Sequence, residues 1–137
     1  MIENIEVPKP VYSWATKAEA RHSCRTIMDE YNVPWGDKRL LCSIIERESN
    51  FDPKAVGKVN KNGTQDFGLL QYNNGKNKQG VPYWIGEGAD FKDVDEVLNN
   101  PEKNVRIFIR EFKKGNLKYW SSFVSGAYKN TREWSIA

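Results

Sequence analysis

The sequence predicts a mainly helical α+β domain with one small β-hairpin, and three observations carry that class. Apolar residues recur at helical spacing in separate stretches: Ala20, Cys24, Ile27 and Met28; Leu41, Ile44 and Ile45; Val105, Phe108, Ile109 and Phe112. An Asn62-Gly63 turn signal opens a segment, residues 63–72, short enough for a hairpin strand. The chain has 137 residues, 39% of them hydrophobic, which is room for one core and none for a second. A single domain over residues 1–137 follows.

Residues 1–13 read as a polar arm containing Pro8 and Pro10. Thr16-x-x-Glu19 is a capping box that starts the first helix, whose inward stripe runs from Ala20 to Tyr31. Val33-Pro34-Trp35-Gly36 stops it. His22, the single histidine, lies in this helix; with no HExxH and no cysteine cluster, a catalytic zinc site is not expected and no cofactor is called for.

The second helix, residues 37–49, is where chemistry enters. Glu48 lies four residues after Ile44 and seven after Leu41, so its carboxyl leaves the helix on the apolar side, while Glu46 and Arg47 point elsewhere. Two readings follow. A carboxyl against apolar walls loses hydration, keeps its proton near neutral pH and serves as a general acid. Alternatively, a glutamate at the edge of the stripe extends its head to water or pairs with a basic side chain. What comes next favours the first. Ser49-Asn50-Phe51-Asp52-Pro53 ends the helix, since proline cannot continue the ladder and restrains the residue before it. The acid is thereby left at a helix end facing a loop.

Asp66 comes 18 residues after Glu48, in the segment beyond the Asn62-Gly63 turn. A helix-end acid and a strand-borne acid can meet across a cleft; the competing reading of Asp66 is a turn aspartate bonded to its own backbone. The intervening loop echoes a calcium loop in Asn60-x-Asn62-Gly63 but lacks the acidic ligands and closing glutamate of one. Past Asn73 a long irregular stretch with Gly75, Gly80, Pro82, Gly86 and Gly88 surrounds Tyr83 and Trp84, either a substrate-contacting wall or an untethered loop. Asn100 then caps a helix with Pro101 at its first position and Gly115 at its end. A last helix carries Trp120, Phe123, Val124, Ala127 and Tyr128 on one face. Both back the helix that bears Glu48.

The motifs in the middle of the chain belong together. Glu48-Ser49-Asn50-Phe51-Asp52-Pro53-Lys54-Ala55, followed by Asn62-Gly63-Thr64-Gln65-Asp66-Phe67-Gly68-Leu69-Leu70-Gln71-Tyr72-Asn73, resembles the active-site region of the lysozyme superfamily. Pro53 and Ala55 are similar to the lytic transglycosylase branch, and Asp66 to the animal c-type lysozyme branch. Asn100-Pro101-x-x-Asn104, Trp120 and Ala127-Tyr128 resemble the transglycosylases' C-terminal Ala-Tyr-Asn-x-Gly motif, from which Lys129 departs.

That resemblance implies a lysozyme-like fold that cleaves the β-1,4 bond between N-acetylmuramic acid and N-acetylglucosamine in peptidoglycan. It assigns Glu48 as general acid and Asp66 as nucleophile or electrostatic partner of the developing cation. Ser49 orients Glu48 or a backbone group. Gly68 lets the strand approach the sugar, Gln71 bonds substrate or holds Glu48, and Tyr72, Asn73 and Tyr128 complete the substrate-binding set. Hydrolysis and anhydro-forming transglycosylation both stay open. The rival classes are a cell-wall-binding or structural module of a virion or secretion machine, and a chitin-type hydrolase.

Composition is compatible. Net charge is +3, a mild attraction to anionic wall polymers, and its lysines (Lys58, Lys61, Lys76, Lys78) are interleaved with Asn and Gly, so nucleic acid is not the expected partner. The five Trp and six Tyr serve core packing or stacking on sugar rings. Cys24 and Cys42 allow at most one bridge; the animal enzymes are rich in disulfides, so a microbial or phage relative with two free thiols is expected, a single bridge being the alternative. The chain shows neither an apolar signal core in residues 1–10 nor a membrane-spanning run. The expectation is a monomer, without membrane insertion, acting in the periplasm, outside the cell or from a virion, and carried to the wall by some other route.

Overall fold

The computed structural model describes residues 11–80, 82–84 and 90–136. Most of the expected arm, including Pro8 and Pro10, and the glycines Gly86 and Gly88 lie outside the described residues.

Helix α1 (Lys17–Glu30) starts as its capping box dictates: the Thr16 hydroxyl oxygen accepts from the Glu19 N–H at 3.1 Å. Ala20, Cys24, Ile27 and Met28 are fully buried along one stripe. Helix α2 (Trp35–Ser49) begins two residues earlier than the 37 that its stripe suggested, because Pro34, extended at ψ 155°, both ends the preceding turn and starts the new helix. Its inward residues Leu41, Ile44 and Ile45 are fully buried, each contributing about 1.5–3 kcal/mol of apolar burial. At its end Asn50 and Phe51 both take positive φ, 54° and 61°. A buried aromatic in that region is strained, and Phe51, 1% exposed, is held there by the core that it fills.

Strands β1 (Asp66–Phe67) and β2 (Tyr72–Asn73) form the expected antiparallel hairpin, with Asp66 opposite Asn73 and Phe67 opposite Tyr72. Helix α3 (Val94–Asn99) falls where an irregular stretch was expected; Asp93 caps it, accepting from the Glu96 N–H at 2.8 Å. The rest of that stretch is tethered where described. Tyr83 N–H donates to the Gly75 carbonyl at 2.9 Å, and Arg110 grips Asp90 with two bonds of 2.9 and 2.7 Å. Helix α4 (Pro101–Lys113) follows, with Asn100 accepting from the Lys103 N–H at 3.1 Å. Gly115, at φ 79°, sits one residue past the cap position.

The single last helix is a misreading. Residues 117–135 form a 3-10 turn (Leu117–Tyr119), helix α5 (Ser121–Val124), a second 3-10 turn (Ala127–Asn130) and helix α6 (Arg132–Ser135). Gly126, in left-handed conformation at φ 78°, breaks the run, and Val124, 67% exposed, belongs to no buried face. Trp120 does the work that a whole helix face was expected to do. It is 3% exposed, its indole Nε1 donates to the Leu70 carbonyl at 2.9 Å, and its ring meets Phe108 edge-on at 4.7 Å. One side chain thus ties the hairpin to α4 and the C-terminal segment.

Helix α2 is the centre of the assembly: α1, α5, the 127–130 turn and α6 all pack on it. The Glu133 N–H of α6 donates to Glu46 at 2.9 Å and the Arg39 guanidinium lies 3.9 Å from the Trp134 ring centre. Cys24 and Cys42 are free thiols, both buried.

Candidate active site

Glu48 projects from the last turn of α2, half-buried. Its carboxyl is pushed up from an ordinary 4.5 to about 7. Burial is the chief cause, because an ionised carboxylate loses more hydration than a neutral one. The charge of Asp66 raises it further, while the Ser122 hydroxyl and the Arg47 guanidinium pull the other way without prevailing. Ser122 stands beside the carboxyl but closes no full hydrogen bond among the described residues, so its contact is partial.

Asp66, on β1, accepts from the Asn73 Nδ2 across the hairpin at 2.9 Å. Asn73 is fixed in turn: the same nitrogen reaches Thr64 Oγ1 at 2.9 Å and its Oδ1 accepts from the Gly75 N–H at 2.7 Å. Asp66 bonds a cross-strand side chain, which sets it apart from the turn aspartate that bonds its own backbone. Register explains which hairpin residues share its side. Strand side chains alternate, so Asp66 and Asn73 emerge together while Phe67 and Tyr72 turn inward.

Five of the residues grouped with the site make contacts within the fold. Tyr72 is 1% exposed and its hydroxyl donates to the Asn104 carbonyl at 2.7 Å, leaving no surface for a glycan. Gly68 is buried, and a Cβ there would meet Asn104 Oδ1 at 2.8 Å and Val97 Cγ1 at 3.1 Å. The close approach its glycine permits is to the α3–α4 junction, not to a sugar. Gln71 spends its Nε2 on the carbonyls of Gly68 at 2.9 Å and Ala55 at 3.2 Å, bracing the turn that carries Asp66. Ser49 donates to the Ile45 carbonyl at 3.3 Å, a contact within its own helix. Tyr128 stacks on Phe123 at 5.8 Å and meets Trp134 edge-on at 5.1 Å.

The arrangement brings together a carboxyl able to hold a proton at neutral pH and a second, braced carboxyl close enough for its charge to be felt. Sequence reasoning missed Ser122. Its signal was weak, a serine in a run of mixed polarity, and no spacing rule pairs it with Glu48.

A family model described as "Transglycosylase SLT domain" matches residues 26–133. Lysozyme 2 of Lucilia sericata is 38% identical over 58 residues, 42% of this chain and 41% of that protein. Protein IpgF of Shigella flexneri is 41% identical over 51 residues, 37% of this chain and 31% of that protein. The chain therefore spans less than half the length of these curated relatives. A solved lysozyme from Litopenaeus vannamei superposes with a TM-score of 0.58 at 18% identity, covering 90% of this chain and 94% of that one, a likeness of fold.

Proposed function

The chain belongs to the SLT transglycosylase domain family, and from that premise we propose that it cleaves the β-1,4 bond between N-acetylmuramic acid and N-acetylglucosamine, Glu48 acting first as acid and then as base. The observation that carries this reading is the Glu48 carboxyl, raised to about 7 by its burial beside Asp66. A group that ionises near the working pH both gives and recovers a proton readily.

In the first step Glu48 protonates the glycosidic oxygen, the C1–O bond breaks, and the glucosaminyl 4-hydroxyl leaves. Positive charge develops on the muramoyl ring, and the Asp66 carboxylate, held by Asn73, faces and stabilises it. In the second step the muramoyl 6-hydroxyl attacks C1 and passes its proton to the Glu48 carboxylate. The acid is restored and the product ends in a 1,6-anhydro ring. Ser49 is not the nucleophile: its hydroxyl is engaged with Ile45, and the lone histidine, His22, lies exposed on α1.

The test is the product. Digestion of purified peptidoglycan followed by mass spectrometry is expected to give anhydro-muramoyl ends, with Glu48→Gln slowing release by about 10²–10⁴-fold. Reducing ends alone would replace intramolecular capture with hydrolysis, undiminished release by Glu48→Gln would remove that residue from the chemistry, and cleavage of chitin oligomers but not peptidoglycan would change the substrate.

A further inference from the structure

Ser122 has no part in the steps above, yet it is out of place as a structural residue. Three serines are buried among the described residues: Ser23, Ser43 and Ser122, at 3%, 0% and 5% exposure. The first two give their hydroxyls to backbone carbonyls, Ser23 to Ser13 at 2.7 Å and Ser43 to Arg39 at 2.6 Å. The Ser122 Oγ is buried and makes no full hydrogen bond among the described residues. Proteins rarely leave such a group unpaired, and an orphan of this kind calls for an explanation.

The explanation lies in what the hydroxyl faces. Helix α5 packs on α2, and the Ser122 hydroxyl stands beside the Glu48 carboxyl. A protonated carboxyl can still accept that donor through its carbonyl oxygen, but only as a neutral and weaker partner. An ionised one is acceptor-only and gains from it.

We propose that Ser122 is a positioning residue whose O–H closes onto the Glu48 carboxylate once the acid has delivered its proton. This deepens the reading of Glu48 as acid and base, and rests on it. The hydroxyl is loose while Glu48 is protonated, engages when the charge appears, and releases when the proton returns from the muramoyl 6-hydroxyl. It holds the carboxylate in place for the second step without locking it in the ionised form.

The other groups acting on Glu48 are few. Asp66 opposes its ionisation and Arg47 favours it. The remaining elements packed on α2 direct charge elsewhere: Lys17 of α1 and the Glu133 N–H of α6 meet Glu46, and Lys129 of the 127–130 turn lies over the Tyr128 ring. Arg47 acts on the Glu48 carboxyl through its charge alone, whereas Ser122 acts as a hydrogen-bond donor.

The experiment is a pair of titrations on Ser122→Ala: the pH profile of kcat/KM on soluble peptidoglycan fragments, and the carboxyl carbon-13 NMR signal of Glu48, which needs no turnover. Losing the donor is expected to move both upward by about one pH unit, with the thermal midpoint unchanged near about pH 4, where Glu48 is protonated with or without the donor. Ser122→Cys, nearly the same size with a weaker donor, is expected to move them part of the way, and it carries the test if the alanine variant does not fold. Titrations that stay at the wild-type position in the folded variants overturn the proposal. That failure is separable from failure of the underlying reading: if Glu48→Gln is inactive but Ser122→Ala titrates as wild type, the acid stands and only the role of Ser122 falls.

Discussion

Glu48 weakens the fold in which it works. Its carboxyl rises from 4.5 to about 7 on folding, so the native state binds the proton more tightly than the unfolded chain does. The stability it contributes is complete below 4.5, falls as pH climbs toward 7, and is gone above that. The loss amounts to as much as about 3 kcal/mol. Glutamine never ionises, so Glu48→Gln is expected to match wild type near pH 4 and to exceed it by up to about 3 kcal/mol near pH 8. Urea unfolding at both pH values measures this; the same difference at both would mean that the carboxyl is not held away from water. The burial of Glu48 was legible because helical spacing from Ile44 sets the side on which it emerges. The inward facing of Tyr72 was not legible from the motif, because belonging to a motif does not say which way a residue faces, whereas strand alternation does: with Asp66 outward, its partner Asn73 is outward and Tyr72 inward.

Among the elements, local chemistry was readable and breaks in periodicity were not. Thr16 and Asn100 cap their helices as read, because a cap is settled within four residues. Helix α3 obeys the same rule, with Asp93 capping it through the Glu96 N–H, but its six residues are too few to show a helical period beside the glycine-rich stretch before it. The C-terminal helix was an artefact of apolar residues three or four apart on both sides of Gly126, whose positive φ no spacing reveals. Two glycines make the distinction measurable. Gly68 combines φ 80° with neighbours at 2.8 and 3.1 Å from any added Cβ. Gly68→Ala is expected to cost about 2–4 kcal/mol through strain and overpacking. Gly36 lies exposed near the start of α2 with nothing within 4 Å of that position. Gly36→Ala is expected to stabilise by about 0.5–1 kcal/mol. Denaturant midpoints of the two variants should therefore move in opposite directions; equal and small effects would deny Gly68 its packing role.

At the scale of the molecule, α2 holds its acid in place because α1, α5 and α6 surround it, and the two cysteines report on whether that assembly opens. Periodicity put Cys24 on the inward stripe of α1 and left Cys42 off the Leu41–Ile44–Ile45 stripe of α2, yet both are fully buried. What periodicity leaves open is their pairing; the fold keeps them as thiols. Burial pushes both up, Cys42 to about 12 and Cys24 well above its ordinary range, with Arg25 partly offsetting the rise at Cys42. At pH 8 the Cys42 thiolate is then about one part in 10⁴, too little to react at an appreciable rate, and contact with a bulky reagent is blocked as well. The native protein is expected to leave both thiols unlabelled by an alkylating disulfide reagent, and guanidinium to release both at once. Their labelling rate in dilute denaturant should track global unfolding, since neither sulfur is reached without separating α1 from α2. Rapid labelling of one thiol in the native state would show that the two helices part locally, and the dry setting that keeps a proton on Glu48 would then be intermittent.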